Sequence, residues 1–457
     1  MGSCEGRVEV MVKRRELVTA VLPVTESRLA LSNLDLILPP LEVGIFLCYA
    51  NSGKNNEMML SSVRKGLRQV LVPFNALAGE VFLNDEGEPE LLCNNRGVDF
   101  VEAFADINLR ELDIYNPDVS IRDNFVPVRE QGVLTVQVTE MKCGGVVIGC
   151  NFDHRVADAH SINKFLLAWA DLCRSNNIGN NETVTLFKHD QKDHTTFYQH
   201  PLVKPRQPSH YDAAINDMYV PIKEGAACNI SPPSFELKSR IYHVDALEIE
   251  ILQALAGPKR SKLESFSALL WKLLAKSSKD DEKRSKLGIV VNGRKCLSND
   301  SSISMENHFG NVLSIPYSDA SVGELKSLPL FEIANAVHAC VERAANEEHF
   351  RGLVDWVEDR RPQRAMSRIY SYLPSESEEP AVVVSSGQRF PVTQLDFGCG
   401  IPDFASYYFP WGGCTGYVMP MPSAKNNGDW IVFMHLAQKH LDFVEKEAPE
   451  IFKPFVF

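Results

Sequence analysis

No apolar run in the sequence approaches the roughly 18 to 20 residues that a membrane span requires. The first residues, Met1 to Glu16, scatter charges and hold no apolar segment, so a cleaved leader is not expected. Gly2 invites myristoylation, but Gly6 stands where that motif needs Ser or Thr. Basic residues are the minority: 47 Lys and Arg against 59 Asp and Glu give a net charge of −12. That balance argues against nucleic acid as a partner, although a local basic patch for a phosphate remains compatible with it. The eleven cysteines form no CxxC pair. Without a leader they read as reduced, buried thiols, Asn181 in its Asn-Glu-Thr sequon stays bare, and a cytoplasmic location is expected. There is no GxGxxG, P-loop, GxSxG elbow or HExxH, so nucleotide-cofactor, serine-hydrolase and zincin chemistries lose support. No repeat of solenoid or propeller type is visible.

What the chain does hold is two bodies' worth of ordinary globular sequence. Its 457 residues exceed one usual core and suggest two domains of roughly 200 residues each. Met58 to Leu71 carries Leu60, Val63, Leu67 and Leu71 at helical spacing. Asn84-Asp85-Glu86-Gly87 reads as the turn between strands Glu80–Leu83 and Pro89–Cys93. Leu134, Val136 and Val138 alternate with polar neighbours, which predicts a half-buried strand. Gly144-Gly145 then turns the chain into the doubly apolar Val146-Val147-Ile148, followed by a polar loop from Asn151 to Asp158 and a helix from Ser161. In the second half, helical stripes are expected over Phe266–Leu274, Phe331–Asn346 and Ala437–Lys446, and strands over Leu287–Val291, Ala381–Ser385 and Asp429–Leu436. Periodicity fails between Arg174 and Ser239, where Asn, His, Pro, Ser and Gly dominate. The expected division is an N-terminal domain over residues 1–185, a crossover over 186–235 and a C-terminal domain over 236–457, in an α+β class with mixed sheets.

The chemistry-bearing candidate is His154-Arg155-Val156-Ala157-Asp158, at the exit of a buried strand. A rigid strand that delivers a histidine into a cleft is a good mount for a general base, and an imidazole near its ordinary pKa of about 6.5 can accept a proton at neutral pH. Taken alone HxxxD is a short pattern, and a histidine beside an aspartate is more often structural. Metal ligation by His154, Asp158 and His160 lacks any supporting ligand spacing, and no metal is expected.

Longer blocks add a resemblance to a known family. Leu31-Ser32-Asn33-Leu34-Asp35 and Leu77-Ala78-Gly79 come first. Leu92 to Ala103 and Cys143-Gly144-Gly145 follow, leading through His154 and Asp158 to Trp169-Ala170. Phe266 to Trp271, Asn292-Gly293-Arg294, Gly310-Asn311 and Asp396-Phe397-Gly398-Cys399-Gly400 complete the series. In this order they resemble the landmarks of the BAHD acyl-CoA-dependent acyltransferases. Val12 to Glu16, Pro39 to Gly44 and Gly428 to Val432 further resemble coniferyl alcohol acyltransferases. Three positions depart from the family pattern: Asp153 precedes His154 where a second histidine is common, Ala159 replaces a glycine, and Cys399 replaces the Trp of the DFGWG motif.

The resemblance implies two chloramphenicol-acetyltransferase-like domains with the active site in a tunnel between them, and a monomer. It implies acyl-CoA as co-substrate, no permanently bound cofactor, and a small-molecule acceptor, expected to be a phenylpropanoid alcohol. N-acylation of an amine and a non-catalytic role in fatty-acid elongation stand as alternatives. His154 would be the base. Asp158 would pair with an arginine, expected to be Arg294, and so hold the loop. Asp396, Phe397, Gly398 and Gly400 would be structural. Ser385 or Ser386, just upstream of that motif, is the candidate oxyanion donor.

Overall fold

A strand can be buried on both faces only if both sets of alternating side chains can leave water, and Val146–Asp153 meets that condition along all eight residues. In the computed structural model of the chain it lies inside a six-stranded sheet. The order is Val10–Val18, Val98–Ala105, Leu134–Met141, Val146–Asp153, Glu42–Tyr49 and Phe404–Tyr408. All neighbours are antiparallel except Val98–Ala105 with Leu134–Met141. The structure describes residues 8–53, 56–177, 198, 200–222, 237–298, 304–370, 380–411 and 413–457. Asn181, and residues 186–197, 199 and 223–235 of the expected crossover, lie outside them.

The second sheet has seven strands in the order Tyr317–Ser321, Arg284–Ile289, Ala381–Val384, Gly416–Pro422, Trp430–Ala437, Leu237–Val244 and Lys453–Pro454. Its period-two pattern sorts side chains between two cores. Along Trp430–Ala437, the side chains of Trp430, Val432, Met434 and Leu436 join a core with helices Ala246–Ala256, Lys262–Ser277 and Leu330–Ala344. Ile431 and Phe433 face the other way, into the core shared with the first sheet. The second sheet is therefore covered on both faces, by its own helices and by the other half of the molecule. Together the two sheets and their helices make a mixed α+β fold of two domains.

Several boundaries differ from the sequence expectation. Val146–Asp153 does not stop at Ile148. Asn151 stays in the strand because its amide donates to Glu42 and to the Pro127 carbonyl, and Asp153 stays because Arg155 and Arg129 balance its charge. Leu134–Met141 is buried on both faces rather than half-buried. Gln137 reaches the Asn124 carbonyl and Thr139, so its own amide is paired inside the protein. Gly149 lets this layer close: a Cβ there would sit 1.7 Å from the Phe125 carbonyl oxygen.

The strand Phe404–Tyr408 was not anticipated at all. It leaves the second half of the chain and pairs with Glu42–Tyr49 in the first sheet. It also brings Phe409 to the ring of His154, at 6.2 Å between centroids.

Candidate active site

His154 is the first residue past the end of its strand. Its amide still donates to the Leu41 carbonyl at 2.9 Å, so the residue is anchored although the ladder has ended. Phe152 and Phe409 flank the half-buried imidazole. Burial pushes the imidazole pKa below its ordinary 6.5, against its own peptide carbonyl, the charges of Asp158 and Asp153 and the side chain of Asn311, which all favour the charged form. A neutral ring at neutral pH is the state a base requires. Its Nδ1 is buried and has no hydrogen-bond partner among the described residues.

Asp153, in the position where a second histidine is common, forms a fork with Arg155: Nε to Oδ1 at 3.0 Å and Nη2 to Oδ2 at 2.6 Å. The two neighbours of His154 are thus bound to each other, and the departure at 153 costs no unpaired charge.

Asp158 and Arg294 come together across a sequence separation of 136 residues. Nη1 donates to Oδ2 at 2.6 Å and Nη2 to Oδ1 at 3.1 Å, and both side chains are buried. The amides of Ser161 and Val312 occupy the remaining acceptor directions of the carboxylate. Burial pushes Asp158 up, but the Arg294 charge and these donors outweigh it and hold the pKa at about 2. Among the described residues Asp158 makes no hydrogen bond to His154. Arg294 reaches further, to Ser161 Oγ and the Gly310 and His308 carbonyls. Asn292-Gly293-Arg294 can make this approach because Gly293 has no side chain: a Cβ there would lie 2.4 Å from the Phe350 ring.

His160 Nε2 lies 3.1 Å from the Glu306 carbonyl oxygen. The guanidinium already fills Asp158, so His154, Asp158 and His160 do not form a cation cage. Among the described residues one group has metal-like spacing, His243, Asp245 and Asp429. Lys453 already binds Asp245, and the Ala246 amide, Asn427 and His243 take Asp429.

The Asp396-to-Gly400 turn is held by its own aspartate, whose Oδ1 accepts from the Gly398 and Gly400 amides. Phe397 is buried edge-on against Trp169 at 4.8 Å. Trp169 lies on the helix Ala159–Asn177, which begins where the His154 loop ends. The turn therefore braces that helix and offers nothing to the imidazole directly. Cys399 is partly buried against the same core. Cys399→Ala is expected to cost about 1 kcal/mol of stability and little turnover, the usual scale for losing one packed atom. Thermal unfolding and kcat on the same preparation check this, and an inactive variant with an unchanged Tm would contradict it.

Ser385 and Ser386 separate clearly. Ser386 is exposed, whereas Ser385 is buried beside Tyr417, whose phenol pKa it lowers against the effect of burial. Tyr417 packs edge-on against Phe409 at 4.7 Å, and Phe409 against His154. Two further residues escaped the sequence reading as site members, Asp35 and Asn311, although both sit inside the quoted landmarks. Burial pushes the Asp35 carboxyl up to about 6, against four hydrogen bonds from Ser32 and Asn311. Nothing in the local sequence around either residue singles it out, because their mutual contact spans 276 residues. A cleft of about 880 Å³ opens beside the tail residues Pro454 to Phe457, but His154 is not on its wall, so the site rests on side-chain chemistry rather than on cavity size.

The family model described as "Transferase family" matches residues 8–451. Shikimate O-hydroxycinnamoyltransferase of Nicotiana tabacum is 25% identical, with 96% of this chain and 99% of that protein covered. Anthranilate N-benzoyltransferase protein 1 of Dianthus caryophyllus is also 25% identical, with 96% and 99% covered. The crystal structure of vinorine synthase superposes with a TM-score of 0.71 at 20% identity, covering 98% of this chain and 99% of that one. The chain belongs to the Transferase family of BAHD acyltransferases and is an acyl-CoA-dependent acyltransferase.

Proposed function

We propose that this enzyme transfers an acyl group from acyl-CoA to the hydroxyl of a small alcohol, a phenylpropanoid such as coniferyl alcohol, with His154 as the general base. The observation that carries the reading is a half-buried imidazole held between Phe152 and Phe409 at a strand exit, where burial lowers its pKa and favours the neutral ring. We place the proton of the neutral ring on Nδ1, which leaves the Nε2 lone pair for the acceptor. Nε2 takes the proton of the acceptor hydroxyl as its oxygen bonds to the thioester carbonyl carbon. The tetrahedral intermediate collapses with cleavage of the C–S bond, and the imidazolium returns the proton to the thiolate, giving ester and free CoA. A thioester is already activated, so no acyl-enzyme is required and most of the remaining work is positioning.

Ser385 is our choice for the oxyanion donor: it is buried beside Tyr417, whose ring packs on Phe409 next to His154, whereas Ser386 is exposed. Asp158 and Arg294 hold the loop. The two substrates enter from opposite sides of the contact between the two sheets. N-acylation is the second reading, favoured by the similarity to a protein named as an N-benzoyltransferase, because the same base serves an amine.

The test is a grid of acetyl-, malonyl-, benzoyl- and hydroxycinnamoyl-CoA against alcohols and amines, followed by initial rates on the best pair. Turnover of an alcohol with intersecting double-reciprocal lines is expected. Parallel lines, or an acyl-enzyme trapped in a mass spectrum, would replace direct transfer by a covalent nucleophile. Activity confined to amines would replace the first reading by the second.

A further inference from the structure

We propose that Asn311 is a positioning residue for His154, holding its peptide carbonyl, and that Asp35 locks Asn311 in the orientation that does so. This rests on the assignment of His154 as the base. Asn311 is completely buried and approaches from the second half of the chain, 157 residues away in sequence. Its amide nitrogen lies among three acceptors: the His154 carbonyl at 2.9 Å, the Arg155 carbonyl at 3.2 Å and Asp35 Oδ1 at 2.9 Å. Three acceptors around one end settle which end of the amide is nitrogen.

The placement matters because His154 and Arg155 lie just past the end of the strand and have no sheet partner there for their carbonyls. Asn311 supplies that partner. With Leu41 accepting from the His154 amide and Asn311 donating to its carbonyl, both peptides that flank the His154 Cα are tied. A ring mounted on a residue so tied has little freedom except its own χ angles.

Asp35 fixes the other side of Asn311. Its Oδ1 accepts from the Asn311 backbone amide at 2.7 Å as well as from the side chain. Its Oδ2 accepts from the Ser32 amide at 2.9 Å and the Ser32 hydroxyl at 2.6 Å. The partners of this buried carboxylate are therefore neutral donors on Ser32 and Asn311, not a cation. Burying a carboxylate on neutral donors alone is costly, and the arrangement is intelligible if the carboxylate's task is to orient an amide. The same segment is gripped a second time at Gly310, where Arg294 and Ser161 both reach its carbonyl. The Ser32–Asp35 turn, the His154 loop and residues 308–312 thus form one network, and Asn311 is its link to the base.

Asn311→Ala is expected to lower kcat by about 10- to 100-fold, the scale of a misplaced catalytic group. KM for acyl-CoA should stay within about threefold of wild type, because no donor-binding contact is removed. The pH profile supplies a readout that a merely structural role would not move. The charged and titratable groups facing the ring are Asp153 and Asp158, each balanced by an arginine, and both remain in the variant. Asn311 favours the charged imidazole, so its removal should shift the acid limb of kcat to lower pH. Wild-type kcat and an unmoved acid limb in folded Asn311→Ala, with His154→Ala inactive, overturn this proposal and leave the base assignment standing. Full activity of His154→Ala overturns the base assignment instead. If Asn311→Ala does not fold, Asp35→Asn decides: it keeps the shape but turns an acceptor into a donor. A lowered kcat in that variant supports the lock, and wild-type kcat overturns it.

Discussion

His154→Ala is expected to leave a folded protein whose turnover is lower by about 10²-fold or more, the scale of losing a general base. The fold should survive because the ring is only half-buried and lies past the end of its strand, while the apolar side chains around it, Phe152, Val156 and Phe409, stay in the core. The residual rate should reflect bound substrates reacting without proton removal, since positioning persists. The wild-type profile has a defined sign. His154 must be neutral to accept a proton, and burial holds its pKa below 6.5. Turnover should therefore be level through neutral pH and fall on acidification below that value, and His154→Ala should lose this limb together with the activity. Steady-state kcat across pH, with melting temperature on the same samples, checks both. A folded variant with near-wild-type turnover would remove His154 from the chemistry.

The legible parts of this protein were those where short-range pattern and three-dimensional environment agree. Glu80–Leu83 and Pro89–Cys93 match their expected bounds because an Asn-Asp-Glu-Gly turn between two short runs specifies a hairpin locally. Polar residues on buried strands were misjudged. Asn151 reads as loop because its partners, Glu42 and Pro127, are distant in sequence and invisible to a local pattern, and Asp153 shares that fate because Arg129 joins the nearby Arg155 in balancing its charge. The strand Phe404–Tyr408 failed for the same reason, since its aromatic run gains a sheet only by crossing to the other half of the molecule. At the candidate site, chain position and family resemblance pointed to His154, Asp158 and Arg294. They could not point to Asn311 as a partner of His154. That relation is one amide meeting two carbonyls across more than 150 residues, and backbone acceptors leave no signature in side-chain identity.

Replacing Asp158 by Ala should damage the fold more than the chemistry, and Arg294→Ala should do the same. Each deletion strands a buried charge, which typically costs about 3 to 5 kcal/mol. The geometry explains why the loss should appear as stability. Both carboxylate oxygens are committed, to the two guanidinium nitrogens and to the Ser161 and Val312 amides, and none of these bonds reaches the imidazole. What the pair does hold is the far end of the His154 loop, the start of the helix that follows it, and the segment carrying Asn311. The Asp158→Ala, Arg294→Ala double variant should therefore be more stable than the sum of the single losses implies, with a coupling at or above about 3 kcal/mol, the upper range for residues in contact. Acid supplies an independent check. The folded-state pKa of about 2 lies below the ordinary carboxylate value near 3.9, so the pair's contribution is complete above that value and is lost as pH falls toward 2. The acid side of the stability curve should be shallower in Asp158→Ala than in wild type. A double-mutant cycle on thermal unfolding, with kcat measured on whatever folds, decides the matter. Additive losses would mean that the two side chains do not act on each other. A folded Asp158→Asn protein with wild-type stability and a turnover as low as that of His154→Ala would make Asp158 a partner in proton transfer instead.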